Sequence, residues 1–242
     1  MGRLFAVVSG KGGVGKSSFS VILARQISLT ESVIVLDLDE RLGSLDTMFN
    51  VADNKVFNIN DCINKTKSVN EAALKVNPNL FLLAAPADEL NLNGLYEFLL
   101  GLSFKYQNII LDLPAGLNVN LLKAIPSFCE FLVVCQQDGI SVKDAFLVGE
   151  KLRELDFFEP RLIINRYVYK RSFRSKILGV NIDNIIDSSA LRLLGIIPEN
   201  EEMALLFLGK HLKRNNKAKQ SVKRITERLY GKNVPLPNIK KI

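Results

Sequence analysis

Short apolar runs recur along the chain with amphipathic stretches between them. The runs are Leu4–Val8, Val33–Leu38, Leu80–Ala85, Asn108–Leu113, Phe131–Cys135, Leu162–Asn165 and Leu193–Ile197. They are rich in Val, Ile, Leu and Phe and do not alternate with polar residues, which is how strands buried on both faces read. Helical spacing follows most of them, at Lys16–Ser28, Leu92–Leu102, Val119–Phe128, Val142–Leu155 and Glu201–Leu208. A strand-then-helix rhythm predicts an α/β fold, a mostly parallel central sheet with helices on both faces. Such sheets bind ligands at the carboxyl ends of their strands. Near the end of the chain, Val222, Ile225 and Leu229 are spaced for one more helix, which Gly231, Pro235 and Pro237 should close. The polar, basic stretch Tyr167–Ile182 reads as a loop or a short excursion. No composition break or linker divides the chain, so residues 1–242 are expected to form a single domain, with a basic C-terminal segment at 210–242.

One motif carries strong chemistry. Gly10-Lys11-Gly12-Gly13-Val14-Gly15-Lys16-Ser17 fits G-x-x-x-x-G-K-[ST] between a predicted strand and a predicted helix. Its glycines allow positive φ angles that turn successive N–H groups toward phosphate oxygens. The helix starting near Lys16 adds the positive end of its dipole. Lys16 reaches the β- and γ-phosphates, and the Ser17 hydroxyl is placed to bind Mg²⁺. ATP with Mg²⁺ is therefore the expected ligand, with Ser18 also on the nucleotide side. Lys11 has two readings, a solvated loop cation or a contact to nucleotide, its own or a partner's. Asp37, Asp39 and Asp112 fall at strand ends, on the ligand edge. Acids there suit metal binding and water orientation in phosphoryl transfer, or they cap turns; Asp37 reads as structural.

Composition sharpens this. Hydrophobic residues make up 48% of the chain and charged ones 24%, enough for a packed core and too apolar for disorder. No apolar run approaches the ~20 residues of a membrane-spanning helix, and Leu4–Val8 leads into the glycine loop rather than into a signal-peptide cleavage site. Cys62, Cys129 and Cys135 have no metal-ligand spacing. A cytoplasmic protein is expected. The net charge of +7 is unevenly distributed: Met203–Ile242 holds eleven lysines and arginines against one acid, Glu227. That region reads either as a solvated helix face or as a surface for DNA or anionic lipid.

Ser9–Ser17, SGKGGVGKS, resembles the deviant Walker A motif of the MinD/ParA family of ATPases, with Lys11 as its signature lysine. The resemblance extends over roughly the first 210 residues. Asp37-Leu38-Asp39 and Leu45-Asp46 are similar to the family's switch I. Asp112-Leu113-Pro114-Ala115-Gly116 looks like its Walker B and switch II segment, and the PAG ending favours the MinD branch. Asn165-Arg166 resembles an adenine-contacting motif, and Ile197-Pro198-Glu199 the last strand-to-loop motif beside the base. The resemblance implies an ATP-dependent homodimer in which Lys11 of each subunit reaches the other's phosphates. It implies that Asp39 positions the attacking water, Lys16 neutralises the γ-phosphate, and Ser17 and Asp112 hold Mg²⁺. It further implies slow hydrolysis, stimulated by a regulatory protein partner, in a switch that positions division, flagellar or other cellular machinery.

Three segments depart from the family pattern. Glu40-Arg41-Leu42-Gly43-Ser44 is charged where a small apolar–glycine pair is usual. Gln136-Gln137-Asp138 replaces a usual proline, although Ser141, Val142 and Asp144 still resemble the following helix start, where Ser141 could equally be an N-cap. Pro235 and Pro237 rule out the regular membrane-targeting helix of MinD proteins. The alternative function is a ParA-like DNA partition ATPase using the basic C-terminal region. A redox or metabolic relative on the same fold is a third class, against which the cysteine-free Asp112–Gly116 segment argues.

Overall fold

β1 (Arg3–Val8) lies at the centre of an eight-stranded sheet because its alternate side chains are apolar on both sides. Leu4, Ala6 and Val8 enter one hydrophobic cluster, and Phe5 and Val7 enter a second. The same division runs through β2 (Val33–Asp37), β5 (Asn108–Asp112), β6 (Glu130–Cys135) and β7 (Arg161–Tyr167). Each fully buried Val, Leu or Ile adds roughly 1.5–3 kcal/mol. The sheet order is β3-β4-β2-β5-β1-β6-β7-β8, where β3 is Leu74–Asn77, β4 is Leu80–Leu83 and β8 is Arg192–Pro198. All pairings are parallel except β3 with β4. This computed structural model describes residues 1–40, 43–86, 88–169 and 181–238.

The helices cover both faces, as the periodicity requires. On one side α3 (Ile59–Ile63), α5 (Leu95–Lys105), α6 (Val119–Lys123), α7 (Gly139–Glu154) and α8 (Ile182–Ser189) contribute to the first cluster. On the other, α1 (Lys16–Ile27), α2 (Leu45–Phe49) and α9 (Lys217–Leu229) contribute to the second. The short α4 (Val69–Ala72) leads into β3. No described helix is long and apolar enough to cross a membrane.

Several boundaries differ from those read in the sequence, each for a local reason. β3 alternates Leu74, Lys75, Val76 and Asn77 at the sheet edge, so it lacks the apolar run of the inner strands. It turns through Pro78 into β4, with the Asn79 N–H donating to the Asn77 side chain at 2.9 Å. The helix expected at Val119–Phe128 stops at Lys123, ahead of Pro126. Glu201–Leu208 is a 3-10 segment rather than an α-helix. Part of the Tyr167–Ile182 stretch is strand β7 at one end and helix α8 at the other, while residues 170–180 lie outside the described residues.

The C-terminal basic helix is a structural element of the sheet. α9 buries Ala218, Val222, Ile225 and Leu229 against α1 and β8. Its Arg228 donates to the Leu194 and Val234 carbonyls, and its Arg224 to the Pro235 carbonyl. Close packing here depends on Gly195, where an added Cβ would lie 2.3 Å from Cγ1 of the fully buried Ile225. Gly195→Ala should therefore push α9 off β8 and cost about 1–3 kcal/mol, read as a lowered urea midpoint with an unchanged slope.

Candidate functional site

The carboxyl ends of β1, β2, β5, β6, β7 and β8 lie at one rim of the sheet, where Gly10–Ser18, Asp37, Asp39, Asp112, Asn165, Arg166, Pro198 and Glu199 are found. Gly10–Gly15 form the loop from β1 into α1, and Lys16, Ser17 and Ser18 form its first turn. Two loop glycines have left-handed backbones, Gly13 at φ 78° and Gly15 at φ 90°. Gly15 is the N-cap of α1, and no side chain caps that terminus. The first bond of the helix runs from the Phe19 N–H to the Gly15 carbonyl. The N–H groups of Lys16, Ser17 and Ser18 thus find no acceptor among the described residues. Unsatisfied first-turn donors and the helix dipole make this terminus a receptor for an anionic phosphate group.

Asp112, the last residue of β5, sits 1% exposed beneath that turn. Ser17 Oγ donates to its Oδ2 at 2.6 Å, Ser20 Oγ to its Oδ1 at 2.8 Å, and Lys16 Nζ lies 3.3 Å from Oδ1. A hydroxyl and a carboxylate in contact are hard oxygen donors of the kind Mg²⁺ takes, in company with phosphate and water. The residues present therefore fit Mg²⁺ with a nucleotide. Ser20 was not identified from the sequence motif, although it stands one helical turn from Ser17 and so shares its face.

Asp37 is the register partner of Asp112 on β2. Its Oδ1 accepts the Asp39 N–H at 3.1 Å and its Oδ2 the Leu45 N–H at 3.2 Å. Burial, and then the neighbouring Asp112 charge, push its carboxyl up to about 7. These two bonds brace the turn that follows β2. Asp39 itself is half-buried at the rim. Glu40, charged where the family is small, accepts the Leu90 N–H at 2.9 Å and so ties switch I to the loop before α5. Arg41 and Leu42 lie outside the described residues. Lys11 is 43% exposed, and its ion pair is a loose one, 3.9 Å to Asp138. Asp138 is also the N-cap of α7, accepting from the Ser141 N–H. Ser141 is therefore not the cap; its hydroxyl accepts the Gln136 N–H at 2.9 Å, bracing the loop that replaces the expected proline.

A pocket of about 220 Å³ opens beside the loop, lined by Gly15, Ser18, Asn165, Arg166, Pro198 and Glu199 together with residues of the 3-10 segment. It is smaller than the roughly 300–1,000 Å³ of a whole-ligand site, a size suited to one flat portion of a ligand such as a base. The Asn165 amide donates to the Val14 carbonyl at 2.7 Å, so Asn165 is a brace for the loop as well as a wall of the pocket. Arg166 adopts a left-handed φ of 53°, and the Glu199 N–H donates to the Tyr167 carbonyl at 3.0 Å. Met203, Ala204 and Phe207 complete the wall. They were invisible as site residues because an apolar run carries no mark of which side it shows to a ligand. Cys62, Cys129 and Cys135 are all buried and unpaired. Among the described residues no group of three or more His, Cys, Asp or Glu is arranged to hold a metal ion by itself.

Residues 1–146 match a family model described as ParA, NUBPL iron-transfer P-loop NTPase. The chain is 27% identical over 250 residues to the septum site-determining protein MinD of Thermotoga maritima, a match covering 98% of this chain and 92% of that protein. Its fold is similar to the MinC:MinD cell division protein complex of Aquifex aeolicus, with a TM-score of 0.84 at 24% identity over 98% of both chains. It is also similar to MinD of Pyrococcus horikoshii solved with Mg-ADP, with a TM-score of 0.81 at 24% identity over 95% and 96% of the two chains.

The loop geometry gives a direct test. A Cβ on Gly15 would stand 2.2 Å from the Asn165 amide nitrogen, at a φ that L-residues resist. Gly15→Ala should add roughly 1–3 kcal/mol of backbone strain and open the Asn165 brace. Calorimetric titration should then show Mg-ADP affinity reduced at least about tenfold.

Proposed function

The chain belongs to the MinD/ParA family of P-loop ATPases, on its MinD side, and from that premise we propose that it is an ATP-gated dimerising switch that positions a larger cellular assembly. The family's cofactors are ATP and Mg²⁺. Lys11 is the observation that carries the proposal. A P-loop has no local need for a lysine after its first glycine. Here that side chain is half-exposed and its pair to Asp138 is long. A surface ion pair of this kind is worth at most about 1 kcal/mol, so the Lys11 ammonium is free to leave it for the phosphates of a facing subunit.

The remaining roles complete the proposal. Mg-ATP, when bound, supplies the scissile phosphoanhydride and a cation that offsets its charge. The N–H groups of the first turn of α1 and the Lys16 ammonium hold the phosphates. Ser17 and Asp112 would hold the metal, and the Lys16 ammonium, now paired with Asp112, would offset the γ-phosphate charge. Asp39 orients the attacking water. Asn165, Arg166, Pro198 and Glu199 flank the base. Hydrolysis is slow until a regulatory protein docks, so the reaction acts as a timer and the protein works from the cytoplasm. The T. maritima relative's name makes division-site placement the first process to examine.

A DNA-binding partition role is the second reading. Lys213, Arg214 and Lys223 are exposed around α9 and face solvent as an electrostatic patch. Against it, Arg224 and Arg228 are already committed to carbonyls of the tail and of β8. Binding of this kind would fall steeply with salt, and a lack of ATP-dependent binding to nonspecific duplex at low salt would remove it.

Light scattering on Asp39→Ala, which traps ATP, tests the leading proposal. ATP should give a dimer and ADP a monomer. Adding Lys11→Ala should abolish the dimer while ATP binding persists. Monomer in both nucleotides would refute the switch.

A further inference from the structure

Arg25 stands in the last turn of α1, about 14 Å along the helix from Lys16 at the phosphate loop. Its Nη2 donates to the Met48 carbonyl at 3.0 Å and its Nη1 to the Lys210 carbonyl at 3.3 Å. Its Nε is buried and has no partner, and among the described residues it is the one buried side-chain polar atom in that condition. No described acid pairs with it. A desolvated guanidinium donor without an acceptor is costly, and burial accordingly pushes the Arg25 pKa down.

That side chain lines a pocket of about 390 Å³, within the range of small-molecule sites. Its polar rim is His211, Lys219, Asn77 and Asn79, and its apolar wall includes Ile22 and Leu206. No acidic residue lines it. The Asn77 and Asn79 amides already donate to Ser28, and Lys219 Nζ spends one donor on the Leu212 carbonyl at 3.3 Å. Three cationic or protonatable groups from α1, α9 and the segment between the 3-10 segment and α9 therefore converge on one cavity without a counter-charge. The Arg25 charge, followed by burial and the Lys219 charge, holds the His211 imidazole below its ordinary value.

We infer that this pocket binds a small soluble organic anion, a phosphate or carboxylate group on a short apolar body. The Arg25 guanidinium, through its remaining N–H groups, the Lys219 ammonium and the His211 ring receive the anionic head, and the exposed Leu29 and Pro78 side chains receive the body. The site is separate from the nucleotide rim, yet the two share a wall. Leu206 faces this pocket, while Met203, Ala204 and Phe207 of the same 3-10 segment face the other.

His211 is the chain's single histidine, so its imidazole proton signals in NMR report this site without assignment. Butyl phosphate should shift them saturably and raise the imidazole pKa, since a bound anion offsets the Arg25 charge. Its affinity should exceed that of inorganic phosphate at least about tenfold, from burial of the butyl group. Arg25→Gln should weaken butyl phosphate at least about tenfold, by loss of a charge-assisted donor. Lys219→Gln should weaken it in the same direction, and serves if the Arg25 variant fails to fold. Phosphatidylglycerol vesicles should leave the signals unmoved. The inference is overturned by no saturable shift with butyl phosphate, by equal affinity for inorganic phosphate that neither variant alters, or by a shift with vesicles alone.

Discussion

The carboxylate of Asp112 is the constraint around which the rim is organised. It is almost fully buried, and it follows the apolar run Ile109, Ile110 and Leu111 at the end of its strand. A buried carboxylate is tolerated only when it is paired and hydrogen-bonded. All three groups that satisfy it, Lys16, Ser17 and Ser20, come from the first turns of α1. The contact therefore fixes the N-terminus of α1 over β5, and with it the orientation of the glycine loop. It also leaves the first-turn N–H groups pointing away from the sheet with no protein acceptor. One interaction thus builds an anion receptor and sets a lysine and a hydroxyl within it.

Much of this was legible in the sequence because the chemistry is local there. Gly10–Ser17 is contiguous, and its strand–loop–helix setting follows from the apolar run before it and the helical spacing after it. The central strands were legible because burial on both faces leaves no polar alternation to mislead. The structure then places Asn165, Arg166, Pro198 and Glu199 around one pocket with Gly15 and Ser18. What escaped was what depends on facing. Ser20 completes the Asp112 site only because one helical turn carries it back over β5. Met203 and Phe207 line one pocket and Leu206 another, and a run of apolar residues cannot reveal that division. The edge strand β3 escaped because Lys75 and Asn77 break its apolar run, and Ser141 was open to misreading as a cap because Asp138, three residues earlier, takes that role.

Charge in the C-terminal region shows how a count differs from a surface. The excess of lysine and arginine there reads as an electrostatic footprint. In the fold, part of it is internal hardware: Arg228 and Arg224 hold the tail, and Lys219 with Arg25 borders the second pocket. The cations that remain on the solvent side of α9 are fewer than composition suggests. Glu40 makes the converse point in switch I, where a charge foreign to the family pattern finds a backbone partner at Leu90 and links the nucleotide rim to the loop ahead of α5.

The central claim is that the open N–H groups at the start of α1 receive phosphate. Amide hydrogen exchange over residues 12–18, with and without Mg-ADP, measures this directly. Exchange in this segment should slow strongly on adding Mg-ADP, more than anywhere on the opposite edge of the sheet. Unchanged exchange in the segment at saturating Mg-ADP would contradict it.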